Sequence, residues 1–84
     1  MKNALVKFIA KKDLIDGAYY QGDCRNASVA RWDMKTNSFY HWRTKFGSRF
    51  IEEINHPDDD QVYDVFIPES VIEHPEEEIP LPKS

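Results

Sequence analysis

The sequence predicts an all-β fold: one small barrel or strongly bent antiparallel sheet of about five strands, followed by a disordered acidic tail. Three observations lead there. Apolar and polar residues alternate with the period of two that puts successive side chains on opposite faces of a strand. Turn-forming residues interrupt the chain about every ten to twelve positions. Almost no stretch repeats its apolar residues at helical spacing. At 84 residues the chain makes one domain, which buries only about 60–65% of the surface its unfolded form exposes, so a ligand is expected in a shallow groove or on a surface. Eleven aromatic residues, two Trp, four Tyr and five Phe, supply much of the core area such a domain needs.

The elements follow in order. Residues 4–10 mix Val6, Phe8 and Ile9 with Lys7 and read as an edge strand, with a single helical turn as the alternative. Residues 12–17 form a turn in which Gly17 takes positive φ, and 18–21 return to extended geometry before Gly22 and Asp23 close the segment. The clearest signal is a hairpin: 28–33 and 38–43 are strand-forming runs joined by Met34, Lys35, Thr36 and Asn37, with Asn37 suited to the left-handed position. Alternation places Ala30 and Trp32 on one face of their strand and Val29 and Arg31 on the other. In the partner strand Tyr40 and Trp42 share one face, and Phe39, His41 and Arg43 share the opposite one. Aromatics on both faces mean that one is core and the other is exposed or covered by a further element.

Residues 45–48 are the next turn, and 49–54 the next strand, with Phe50 and Ile54 on one side and Ile51 on the other. Residues 55–60, with Pro57 and three consecutive Asp, are a loop. Residues 61–67 read as a strand, Pro68, Glu69 and Ser70 as a short 3₁₀ turn, and Val71 and Ile72 as a return to the core. The domain is therefore expected to span 1–73, with 74–84 a flexible acidic, proline-rich tail that has little to pack. The closing order, strand then single turn then last strand over 65–72, resembles the end of SH3-like barrels. That resemblance covers residues 5–73 in pattern and implies a small barrel with no catalytic motif. Gly17-Ala18-Tyr19-Tyr20 and Phe39-Tyr40-His41-Trp42-Arg43 are also similar in character to small proteins of tailed bacteriophages and prophages, which implies a role in host takeover or counter-defence.

Charge divides the chain. Residues 1–50 hold ten Lys/Arg against four Asp, and 51–84 hold eleven Asp/Glu against one Lys, so a net charge of −4 conceals +6 followed by −10. Arg25, Arg31, Lys35, Arg43, Lys45 and Arg49 lie among Trp32, Phe39, Trp42, Phe46 and Phe50, a mixture that suits a flat anionic ligand or an acidic partner. With His41 and Arg43 on an exposed face near Arg31, guanidinium forks could hold phosphates while a ring stacks a base. The competing reading makes the rings core and pairs the Arg heads with the acidic half of the chain.

A non-enzymatic binding module is therefore expected, recognising nucleic acid or an acidic protein surface through Arg31, Trp42, Arg43, Lys45 and Arg49. The alternative is an effector that binds and inhibits a host protein through the acidic surface from Glu52 to Asp64. A homo-oligomer in which the basic face of one copy meets the acidic face of another is a third expectation. Glu73, Glu76, Glu77 and Glu78 could instead fold back on the basic face and compete with an anionic ligand, since the flanking prolines keep that segment extended.

Catalysis is not expected. Cys24 carries no nucleophile motif, the three His and Cys24 do not fall at zinc-ligand spacing, the glycines are too dispersed for a phosphate loop, and no cofactor is implied. The clustered Asp58, Asp59 and Asp60 lack the alternating ligands of a calcium loop and read as a solvated turn. A lone cysteine and the absence of an apolar run long enough for a signal peptide or membrane span predict a cytoplasmic protein.

Overall fold

A computed structural model describes residues 8–24, 27–58 and 65–82. Among these residues five strands form one antiparallel sheet: β1 (Tyr19–Cys24), β2 (Ala27–Asp33), β3 (Ser38–Lys45), β4 (Ser48–Ile54) and β5 (Ile67–Ile72), in the order β4-β3-β2-β1-β5. A 3₁₀ turn, Lys11–Asp13, precedes them. Among the described residues no helix is long and apolar enough to cross a membrane.

Local chemistry explains the two central hairpins. Asp33 and Ser38 close the β2–β3 turn, Asn37 occupies the left-handed region at φ 60, and Thr36 Oγ1 donates to Asp33 Oδ2 at 2.8 Å. β3 and β4 are joined by two residues, Phe46 at φ 53 and Gly47 at φ 79. Positive φ at both central positions is the type I′ turn whose twist matches that of paired strands. Gly17, at φ 82, turns the chain into β1.

The core lies on one face of the sheet. Tyr20, Ala30, Trp32, Phe39 and Ile54 point into it and meet Leu14 and Phe66 from the flanking segments. Phe39 is the hub, with ring centroids 4.9 Å from both Trp32 and Phe66. His56 stacks on Phe39 and is fully buried. Its Nε2–H donates to Ile9 O at 2.9 Å and its Nδ1 accepts from the Asp58 N–H at 3.0 Å, so both ring nitrogens are satisfied. Each large ring removed from water here contributes on the order of 1.5–3 kcal/mol.

The sheet bends until its two outer strands approach at one corner. Asn55, just past β4, forms a parallel bridge with Val65, and the Phe66 N–H donates to Asn55 O at 2.9 Å. That single bridge does not close a barrel: among the described residues β4 and β5 remain the two edges. The all-β, five-stranded expectation therefore holds, and of its two forms the sheet is not closed into a barrel.

Three elements differ from the sequence reading. Pro68, Glu69 and Ser70 lie inside β5, not in a 3₁₀ turn. β5 is an edge strand with a register shift opposite Gln21 and Gly22, where a residue without an N–H is tolerated. β1 continues through Gly22 to Cys24 because Gly22 has no side chain: a Cβ there would stand 2.8 Å from Phe66 Cζ and would collide with the Ile67 carbonyl. Residues 8–10 belong to no strand, although the Ile9 N–H reaches Pro68 O at 2.8 Å. Residues 4–7, Arg25, Asp59, Asp60 and most of the strand expected over 61–67 lie outside the described residues.

Candidate binding face

The face of the sheet opposite the core carries the candidate site. Registers place Glu53, Tyr40, Arg31 and Tyr19 side by side across β4, β3, β2 and β1. Trp42 follows Tyr40 along β3, opposite Ile51, and Arg49 stands opposite Thr44. Because side chains alternate, these residues share one face, and His41 and Arg43 take the other.

The C-terminal segment lies on this face. Ile79 is 3% exposed, with its N–H donating to the Tyr19 hydroxyl at 2.9 Å. Arg31 ties the segment to the first turn, since its Nη1 donates to Ile79 O at 2.7 Å and its Nε to Gly17 O at 2.8 Å. The same guanidinium stands 5.0 Å from the centroid of the Tyr19 ring. One residue earlier, Trp42 Nε1–H donates to Glu78 O at 3.0 Å. Arg49 lies 4.4 Å above the Trp42 ring and forms an ion pair with Glu77.

Three successive residues, Glu77, Glu78 and Ile79, are thus held by one salt bridge, main-chain hydrogen bonds and one buried aliphatic side chain. Beside them runs a groove of about 600 Å³, lined in part by Gln21, Val29, Trp42, Arg49 and Ile72. The sequence reading makes residues 74–84 a flexible tail with little to pack; residues 74–82 instead include an aliphatic side chain buried against the sheet.

Electrostatics follow from these pairings. The hydrogen bond from Arg49 holds the Glu77 carboxyl below its ordinary range, and Glu77 in turn raises Arg49. Both side chains are about half exposed, 47% and 52%, so solvent and salt screen the pair and it adds direction more than strength. Tyr40 is raised by burial and by the nearby carboxylates of Glu53 and Asp33, against the hydrogen bond with Thr36.

Of the five residues expected to bind, Arg31, Trp42 and Arg49 come together and Arg43 and Lys45 do not. Arg43 lies on the opposite face, where its Nη1 is 2.6 Å from Glu52 Oε2. His41, fully buried, places Nε2 2.9 Å from Glu52 Oε1. The expectation that His41 and Arg43 line an exposed wall with Arg31 is therefore corrected: Arg31 pairs with Tyr40 in register, which sets it on the other side of the sheet from His41. Lys45 ends β3, with Nζ 5.5 Å from the Phe46 ring.

Tyr19 and Ile79 carry the site and were not singled out from the sequence. A usable signal for Ile79 exists, because an aliphatic residue between three Glu and Pro80 has no reason to be solvated. No family model, curated protein or solved structure matches this chain.

Proposed function

We propose that this protein is a non-enzymatic binding module that takes an extended acidic peptide segment of a protein partner across the face formed by Tyr19, Arg31, Trp42 and Arg49. The observation that carries the reading is the chain's own Glu77-Glu78-Ile79 on that face. That segment supports the reading by setting a carboxylate on the Arg49–Trp42 stack, main-chain carbonyls at Trp42 and Arg31, and an aliphatic residue beside Tyr19.

A peptide suits this arrangement better than a nucleic acid does. Two of the donors, Trp42 Nε1 and Arg31 Nη1, address carbonyl oxygens one residue apart, and a stripe of guanidinium groups for a phosphate backbone would need Arg43, which Glu52 holds on the other face. The acidic-surface reading loses Glu52 for the same reason. On our reading the internal segment competes with the partner at the high effective concentration that covalent tethering confers, so binding in trans is weak until the segment is released.

Fluorescence anisotropy with a labelled peptide of residues 75–84 tests this. Full-length protein carrying Ile79→Asp is expected to bind the peptide at least tenfold more tightly than the unaltered chain, and adding Trp42→Ala should abolish the gain. A folded Ile79→Asp protein that ignores the peptide, or that instead retains single-stranded DNA with a steep dependence on salt, would overturn the proposal.

A further inference from the structure

The end of the β3–β4 hairpin leaves the sheet. β2 pairs with β3 from Arg31 to Asp33 opposite Ser38 to Tyr40, whereas β3 and β4 stay paired as far as Lys45 and Ser48. Among the described residues the far end of the hairpin is therefore a two-stranded arm, and residues 44–50 are all exposed.

At the tip of that arm Phe46 is 94% exposed and held at φ 53. A bulky aromatic in the left-handed region costs folding free energy, and at this exposure no packing within the chain offsets the cost. The Lys45 ammonium lies beside it, 5.5 Å from the ring centroid. Strain held at so exposed a position points to use outside the molecule.

The same chain carries a complement to this tip. The groove of about 600 Å³ beside the C-terminal segment is lined by half-buried Val29, Trp42 and Ile72, with exposed Glu76 and Glu77 at its margin. Glu77 is taken by Arg49. Glu76 and Lys45 form no ion pair among the described residues.

We infer that the arm tip of one copy docks in this groove on a second copy, with Phe46 on the apolar floor and Lys45 against Glu76. An aromatic knob with a cation beside it meets an apolar hollow with a free carboxylate beside it, so shape and charge select the same pairing. The groove exceeds one benzyl side chain in volume, and docking would cover the most exposed apolar ring of the chain. The contact is heterologous, because tip and groove are different surfaces of one chain. One ring and one ion pair cover much less area than a stable interface, so association is weak and requires concentrated protein.

The inference does not rest on the peptide-binding proposal. Sedimentation equilibrium on the full chain should give a mass that rises with concentration above 9.9 kDa. Phe46→Asn should hold the protein at the single-chain mass while raising its urea midpoint, which separates lost association from lost folding, and should leave peptide binding intact. Val29→Arg sets a cation in the groove where Lys45 arrives, and should also stay single. An equimolar mixture of these two variants retains one intact tip and one intact groove, and should reach twice the single-chain mass and stop there. Charge exchange supplies the stricter arm: K45E and E76K should each weaken association roughly fivefold, and the double variant, which restores opposite charges between copies, should recover it. A single-chain mass for the unaltered protein up to about 1 mM, Phe46→Asn associating as well as the unaltered chain, a mixture that stays single, or a double variant no better than either single one would each overturn the inference.

Discussion

Replacing Ile79 by Ala isolates the contact on which the binding face depends. The substitution removes three carbons from a side chain that is 3% exposed. At about 0.8 kcal/mol per buried methylene the loss is about 2.5 kcal/mol, and little cavity cost adds to it because an extended surface segment can settle into the space. The Arg49–Glu77 pair is screened by solvent and cannot compensate. The ratio of docked to released segment should therefore fall roughly 70-fold, since each 1.36 kcal/mol is a factor of ten. The core lies on the other side of the sheet, so the change is local. Native-state hydrogen exchange reads it directly: the Ile79 amide, protected by the Tyr19 hydroxyl, should lose protection by about that factor, while amides of β2 and β3 keep theirs. Trp42 emission should shift at the same time, because its indole N–H loses the Glu78 carbonyl. Exchange at residue 79 within twofold of the unaltered protein, with Trp42 emission unmoved, would refute the docking of this segment.

Other outcomes follow from the same geometry. Phe46→Asn should raise stability by about 1 kcal/mol in urea unfolding, because Phe46 is 94% exposed and held at φ 53, where Asn followed by Gly is the preferred type I′ pair and no packing is lost. Glu52→Ala should destabilise the fold by about 1–3 kcal/mol, leaving fully buried His41 and half-buried Arg43 without their common acceptor; the same assay on Glu53→Ala should give a change below about 0.5 kcal/mol. Because Arg49 lowers the Glu77 carboxyl in the folded chain, the contribution of that pair is complete above the ordinary carboxylate range and is lost as pH falls through the lowered folded value. Hydrogen exchange near residue 79 should accordingly accelerate on acidification in the unaltered protein, beyond the intrinsic pH effect, and that extra acceleration should vanish in Glu77→Gln.

Much of the sheet was legible because it is set by neighbours in the chain. Gly17, Asn37 and the turn at Phe46 and Gly47 are positions where the backbone requires positive φ, and residues that permit or flank it are visible in the sequence. Between those turns the period-two pattern locates β2, β3 and β4, and it correctly sorts Trp42 with Tyr40 and Arg43 with His41. The second half of the chain was less legible. Pro68 reads as a turn residue until an edge strand with a bulge at Gly22 accommodates it, and that bulge exists only because Phe66 and Ile67 approach the glycine from more than forty positions away.

The amino-acid sequence by itself determined β2, β3 and β4, their turns and the two sets of side chains that each of these strands would present, because dihedral preference and alternation act over a few residues. It could not decide which set faces the core, since aromatic residues occur in both. Tertiary packing decided that: Leu14, His56 and Phe66 close over Phe39 and Trp32, and Ile79 covers the face of Trp42 and Arg31. Burial is a property of what comes to lie above a face, and here the covering residues arrive from distant parts of the chain.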